Sequence, residues 1–255
     1  MKSCLLTPAA GKRLIARAVA QHEAIASALS EGTIVIIAGT TNGYIAEELL
    51  RALGQAEGFS RRRFFRGIAL PPPMAVTDAG RLQDESGFFG DVVIEKGRWV
   101  KGKTVFDAVD DLREGDVILK GANAVDPRAR QAAILIGHPH GGTILAALQA
   151  VVGRRARLLL PVGLEKRVHT PLADLAAWLN APGSKGPRLL PVPGEVLTEI
   201  EALKILTGVE AQLIAGGGVC GAEGAVWLGL RGDEESLCRA EEVLAAVAAE
   251  PPFSR

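Results

Sequence analysis

The chain is poor in cysteine, carries no excess charge and has no long apolar run. Its three cysteines, Cys4, Cys220 and Cys238, are odd in number and follow no ligand spacing. They give no sign of a disulfide framework or a zinc site, and a reducing cytoplasm is the expected setting. Lys+Arg and Asp+Glu are both 29, a formal net charge of zero. Nothing global therefore calls for nucleic acid or an acidic membrane surface as partner. No apolar stretch approaches the roughly 20 residues that span a bilayer. Lys2, Lys12, Arg13 and Arg17 interrupt the N-terminal region, so neither signal peptide nor anchor is expected. No dinucleotide fingerprint follows a predicted strand, which disfavours NAD and FAD; no cofactor is expected. There is no sequence repeat and no helix-turn-helix extension.

What is present is ordinary globular material. At 255 residues, 48% hydrophobic and 23% charged, the chain can hold one large α/β domain, or a larger domain and a small one. Residues 11–31 place Leu14, Ile15, Ala18, Val19, Ile25 and Leu29 near a 3.6 period, predicting an amphipathic helix ended by Gly32. "TIVIIAG" (33–39) is a continuous β-branched run, the mark of a strand buried on both faces. "TTNG" (40–43) then reads as a turn and 44–54 as a helix stopped by Gly54. The unit recurs as strand 130–138, turn 139–143 and helix 144–154, followed by strand 156–163. Strands alternating with helices predict an α/β fold, Rossmann-like, with a mostly parallel sheet flanked by helices.

Other segments break the rhythm. Residues 64–70 read as a strand and 71–90 as a long loop, a length usually functional or mobile in a compact domain. Lys96-Gly97 sits between β-rich flanks, predicting a hairpin within 91–107. The proline- and glycine-dense stretch 180–195 reads as a connector. Beyond it come a helix (195–208), two strands around a glycine-rich turn (211–232) and a last helix (233–250) that Asp233 can cap. The expected organisation is a Rossmann-like domain over 1–180, with an insertion around 55–105, and a small α+β subdomain or added layer over 181–255.

In open parallel sheets ligands bind beyond the carboxyl ends of the strands. Three turns rich in small or polar residues follow predicted strands: "AGTTNG" (38–43), "KGANAVD" (120–126) and "HPHGGT" (138–143). If the strands are parallel, all three lie on one edge. The first and third precede helices, whose free N–H groups favour an anion. Gly39, Thr40, Thr41 and Asn42, with Gly141, Gly142 and Thr143, are therefore candidate anion contacts. Lys120 stands as a point charge at the edge, with Gly121 and Asn123 beside it. Asp107 and Asp110 are candidate acid/base groups, against the alternative of an acidic capping turn. His138 and His140 flank Pro139; with no third ligand in view, a ligand-facing role is preferred to a metal. Glu165 and Lys166 follow the strand at 156–162 and can reach the same edge. The run Arg61-Arg62-Arg63 with Arg66, interleaved with Phe64 and Phe65, reads as a solvated edge or interface rim, with a phosphate contact as the alternative. His22 and His169 look incidental.

These motifs carry a resemblance. "EGTIVIIAGTTNGYIAEEL" resembles the first strand, phosphate turn and helix of ribose-5-phosphate isomerase type A and its wider superfamily. That superfamily includes glucosamine-6-phosphate deaminase, sugar-sensing domains of some transcriptional repressors, and coenzyme A transferases. "DAVDDLREGDVILKGANAVD" is similar to the isomerase's D-G-A-D-E segment followed by K-G-G-G, and "LLLPVGLEK" to a later strand followed by a ligand-facing lysine. The resemblance covers about residues 10–55 and 105–167. It implies a Rossmann-like sheet with a sugar-phosphate or acyl-type site, contacted by Thr40, Thr41, Asp107, Asp110 and Lys120. One departure bears on chemistry: "DPRARQAA" (126–133) carries no glutamate where the isomerase has its catalytic one.

The expectation is a protein that binds a small anionic metabolite, a sugar phosphate or related phosphorylated or carboxylated compound. Isomerisation or a related acid/base reaction is the enzymatic form. A non-catalytic sensing or binding module is the alternative, and coenzyme A transferase-like chemistry, with Glu223 as its only candidate nucleophile, is weaker. Assembly into a homo-oligomer is left open.

Overall fold

The computed structural model describes residues 2–66 and 90–253. At its centre is a six-stranded sheet. Four parallel strands, Thr33–Ile36 (β2), Val117–Leu119 (β5), Arg157–Pro161 (β8) and Glu195–Leu197 (β10), lie side by side. Val92–Glu95 (β3) joins β2 antiparallel, and Arg98–Trp99 (β4) follows through the expected turn at Lys96 and Gly97, both with positive φ.

Alternation along these short strands explains why both faces are covered. Ile34 and Ile36 of β2, Leu119 of β5 and Leu159 of β8 enter one core, with helices Pro8–Ala20 (α1), Thr40–Ala52 (α3) and Glu199–Thr207 (α7). Val35, Ile118, Leu158 and Leu160 enter the other, with Val105–Ala108 (α4) and Gly142–Arg154 (α5). Each fully buried aliphatic side chain contributes about 1.5–3 kcal/mol, and the period of two shares that gain between the faces.

Two antiparallel sheets of three strands complete the chain. One joins Ala124–Asp126 (β6), Gln131–Ile136 (β7) and Arg188–Val192 (β9). The other orders Lys2–Leu6 (β1), Val226–Arg231 (β12) and Glu210–Gly216 (β11), and packs with the last helix, Glu234–Ala248 (α8), into the α1/α3 core. The boundary expected near residue 180 is thus crossed by all three sheets: β9, β10 and β11–β12 each go to a different one.

Several element expectations change. The single helix over 11–31 is two, because His22 caps a separate helix, Glu23–Glu31 (α2), through Nδ1 accepting from Ala24 N. "TTNG" is the first turn of α3. Residues 195–197 are a strand ahead of α7. Residues 188–192 of the expected connector form β9, and β1 and Leu172–Leu179 (α6) have no counterpart in the sequence reading. The largest change is β7, which lies in the antiparallel sheet and not in the parallel one. After β5 the chain forms β6 at once, and a tight turn with Arg130 at positive φ returns it as β7. The place beside β5 goes to β8. The expected strand at 64–70 is described only to Arg66, after a 3-10 turn at Arg61–Arg63. The expected loop at 71–90 lies outside the described residues except for Gly90.

Candidate functional site

The carboxyl ends of β2, β5, β8 and β10 form one edge, and polar side chains collect there. Lys120 directly follows β5, whose backbone is tied on both sides: Ile37 N donates to Leu119 O at 3.0 Å and Lys120 N to Leu159 O at 3.0 Å. The lysine side chain therefore starts from the middle of the sheet edge, half-buried. Among the described residues its Nζ has no hydrogen bond and no ion pair. Burial pushes this amine down to about 8; Asp91 pulls it back up, and Arg66 and Lys166 lower it further.

Asp91 is the anchor of this group. It is 1% exposed. Its Oδ1 accepts from Ala38 N at 2.9 Å, and its Oδ2 from Val105 N at 2.8 Å, joining the end of β2 to the start of α4. Arg66 approaches to 3.7 Å. Lys166 donates to Ala122 O at 2.8 Å, and its amine is pushed down chiefly by burial, against the nearby Glu165. Arg66 and Lys120 thus act around one carboxylate that is already occupied by two backbone donors, and Lys166 adds a third cation acting on Lys120.

Further along the edge stand two carboxylates. Glu165 follows β8, and its Oε1 accepts from Lys12 Nζ at 2.8 Å, while its buried Oε2 has no partner among the described residues. Glu199, the first residue of α7, is 1% exposed and accepts from Leu164 N at 2.9 Å. Burial, then the charge of Glu165, raises its carboxyl to about 7. Gly11 and Gly163 leave room here: a Cβ on the first would displace the Glu199 carboxylate, and one on the second that of Glu165. Such a pair favours holding a proton at neutral pH, because like charges in a dry site oppose joint ionisation.

The start of α3 adjoins Lys120. Its N-cap is Gly39, which has no side chain to cap it, so among the described residues its first amides can meet an anion. Asn42 Nδ2 donates to Ile37 O at 2.7 Å and to Leu119 O at 2.9 Å. Asn42 therefore fastens the helix to the ends of β2 and β5 and faces the fold, against the expectation that it faces a ligand. Thr41 is 2% exposed, and its Oγ1 has no partner among the described residues. Gly39 and Gly121 leave the approach open: a Cβ on either would meet nothing nearer than 3.9 Å.

Other expected site residues fall elsewhere. Asp107 is exposed and turned back on Thr104, accepting from its N at 2.8 Å and its Oγ1 at 2.6 Å in a capping box. Those bonds hold its carboxyl below the ordinary value. Asp110 is exposed, and neither aspartate is among the groups acting on Lys120. Asn123 stitches β5's exit to β7, accepting from Leu135 N at 3.0 Å. His138, His140, Gly141, Gly142 and Thr143 follow β7, so the antiparallel sheet carries them. Both histidines are exposed, and His138 Nδ1 accepts from His140 N at 3.1 Å. Glu223 accepts from Gly221 N at 2.9 Å within the connection of β11 to β12 over 217–225, the glycine-rich turn expected between two strands. His22 is more than incidental: besides its cap, Nε2 lies 3.0 Å from Glu195.

Asp91, Arg66, Lys12 and Glu199 are residues that the sequence does not mark as parts of one site. Arg66 reads only as a rim or phosphate contact, and Asp91 falls inside a hairpin. No local spacing links them, because each reaches the edge from a different element. Two clefts open elsewhere. One of about 680 Å³ is lined by Asp126, Arg128, Arg167 and His169 among others. Another, of about 520 Å³, lies at the opposite edge by Val117 and Arg157. Neither is lined by Lys120, Arg66 or Asp91. The strand ends are preferred because the unpaired amine and buried carboxylates are there. Comparison with protein-family models, curated proteins and solved structures gives no match for this chain.

Proposed function

We propose that this protein binds a small anionic metabolite, a sugar phosphate or a related phosphorylated or carboxylated compound, at the carboxyl ends of β2, β5 and β8. The observation that carries this reading is the Lys120 amine, unpaired among the described residues, on which Arg66 and Lys166 act as like charges and Asp91 as the opposing one. Of the described groups that act on the Lys120 amine, two are cations and one a carboxylate, so the balance there is positive in a partly desolvated place, where charge interactions are strong. An anion restores it, and the uncapped start of α3 adds backbone donors beside it. The reading agrees with the resemblance to the ribose-5-phosphate isomerase superfamily in placing the ligand at the ends of the strands.

As an enzyme, the chain would use acid/base chemistry on this ligand. Asp107 is spent on capping its own helix. The Glu165–Glu199 pair supplies the group able to hold and release a proton near neutrality. The second reading is a binding module without turnover; the exposed, locally occupied Asp107 favours it.

A thermal-shift screen tests binding. Ribose 5-phosphate, a nucleoside monophosphate and a coenzyme A ester are offered in turn. A ligand at about 100 times its dissociation constant adds about 2.7 kcal/mol, and Lys120→Ala weakens it about tenfold, the loss of one charge-assisted contact. No shift with any of the three classes would remove the reading.

A further inference from the structure

We propose that Lys120 is a nucleophile toward the carbonyl carbon of an aldehyde or ketone that also bears a phosphate or carboxylate. This rests on the anion site just described and adds a covalent step to it. The neutral amine attacks the carbonyl carbon and a C–N bond forms. Both N–H protons leave with the carbonyl oxygen as water, and an imine remains. No oxidant or reductant is consumed.

Three features support the step. The amine is bound by nothing among the described residues, whereas Lys12 and Lys166 are each held by acceptors at 2.8 Å. Arg66 and Lys166 act on it as like charges, and Asp91 is the opposing charge among the described residues. Neighbouring cations and desolvation raise the fraction of a lysine that is neutral and so nucleophilic, and the same cations hold the ligand's anionic end. Gly121 adds no side chain beside the amine; a Cβ at that position would meet nothing nearer than Pro161 O, at 4.0 Å. The groups that face Lys120 are Asp91 after residue 90, Arg66 after the 3-10 turn and Lys166 after β8, so a change in any of them changes its reactivity.

Reductive trapping tests the inference on the full chain. Glycolaldehyde phosphate is the probe, cyanoborohydride reduces any imine formed, and peptide mass spectrometry locates the adduct. At pH 7.5 Lys120 is expected to be labelled at least about tenfold faster than the exposed Lys101 and Lys185. Inorganic phosphate should slow labelling at Lys120 alone, and unphosphorylated glycolaldehyde should show no preference for it. Lys120→Arg keeps the charge and loses the amine, so phosphate still raises its melting temperature while no adduct forms at 120. If that variant fails to fold, the labelling pattern of the natural chain decides. Labelling of Lys120 no faster than the exposed lysines, in a protein that phosphate or a sugar phosphate stabilises, overturns the nucleophile and spares the anion site. Absence of both labelling and stabilisation overturns both.

Discussion

Glu199 is the residue whose ionisation the fold resists most plainly. It is buried beside a second carboxylate, and its carboxyl is raised from 4.5 to about 7. A carboxyl raised on folding favours the folded state while protonated. Its contribution is complete below about pH 4.5 and is lost as pH rises through about 7. Glu199→Gln removes the charge and keeps an acceptor for Leu164 N. It should leave the melting temperature nearly unchanged at pH 5 and raise it at pH 8; an equal difference at both values would show that charge burial is not the cause. Asp91 is the opposite case, a buried carboxylate that the fold satisfies with the Ala38 and Val105 amides. Asp91→Ala orphans both donors at about 1–3 kcal/mol each, and a urea titration should show a loss of about 3 kcal/mol. Neither role is legible in the chain: Glu199 falls inside an expected helix and Asp91 inside an expected hairpin. Lys120 is legible, because a charge ending an apolar run and followed by Gly121 is a local signal.

At the scale of elements, caps decide where helices begin, and caps are partly readable. Asp233 is expected to start the last helix and does, accepting from Ser236 N at 2.7 Å. His22 escapes sequence reading because a histidine is an uncommon cap and the apolar period runs smoothly across it. His22→Ala should lower stability by about 1 kcal/mol in urea denaturation, the usual worth of an N-cap; no loss would make the cap incidental. The strands β2, β5 and β8 are visible as short apolar runs, and a run buried on both faces needs little context. β7 looks the same in sequence and belongs to another sheet. Its burial shows the difference: Ala132, Ala133 and Ile134 are buried, while Gln131 and Leu135 are exposed. An apolar run reports that a strand will be buried; which neighbour it pairs with depends on the turn before it.

For the whole molecule, the shared core makes one cooperative unit out of segments far apart in the chain. Leu6 of β1, Leu228 of β12 and Leu203 of α7 belong to the core that also holds Ile34 and Leu119 of the central sheet. Glu250, just beyond α8, accepts from Arg13 of α1 at 2.8 Å and from Arg61 at 2.8 Å. Unfolding should therefore be a single transition, with far-ultraviolet dichroism and tryptophan fluorescence coincident in urea. Two separated transitions would restore an independent unit beyond residue 180. The first strand of the described chain also joins a late segment here, since β1 completes the sheet of β11 and β12.

The chain by itself determined the α/β class, the strands of the central sheet other than β10, and the lysine at its edge, because hydrophobic period and turn chemistry act over a few residues. Tertiary structure alone decided the partners of that lysine. Arg66, Asp91 and Lys166 are separated by tens of residues, and the parallel pairing of β2, β5 and β8 together with the antiparallel pairing of β3 on β2 brings their charges within reach of Lys120.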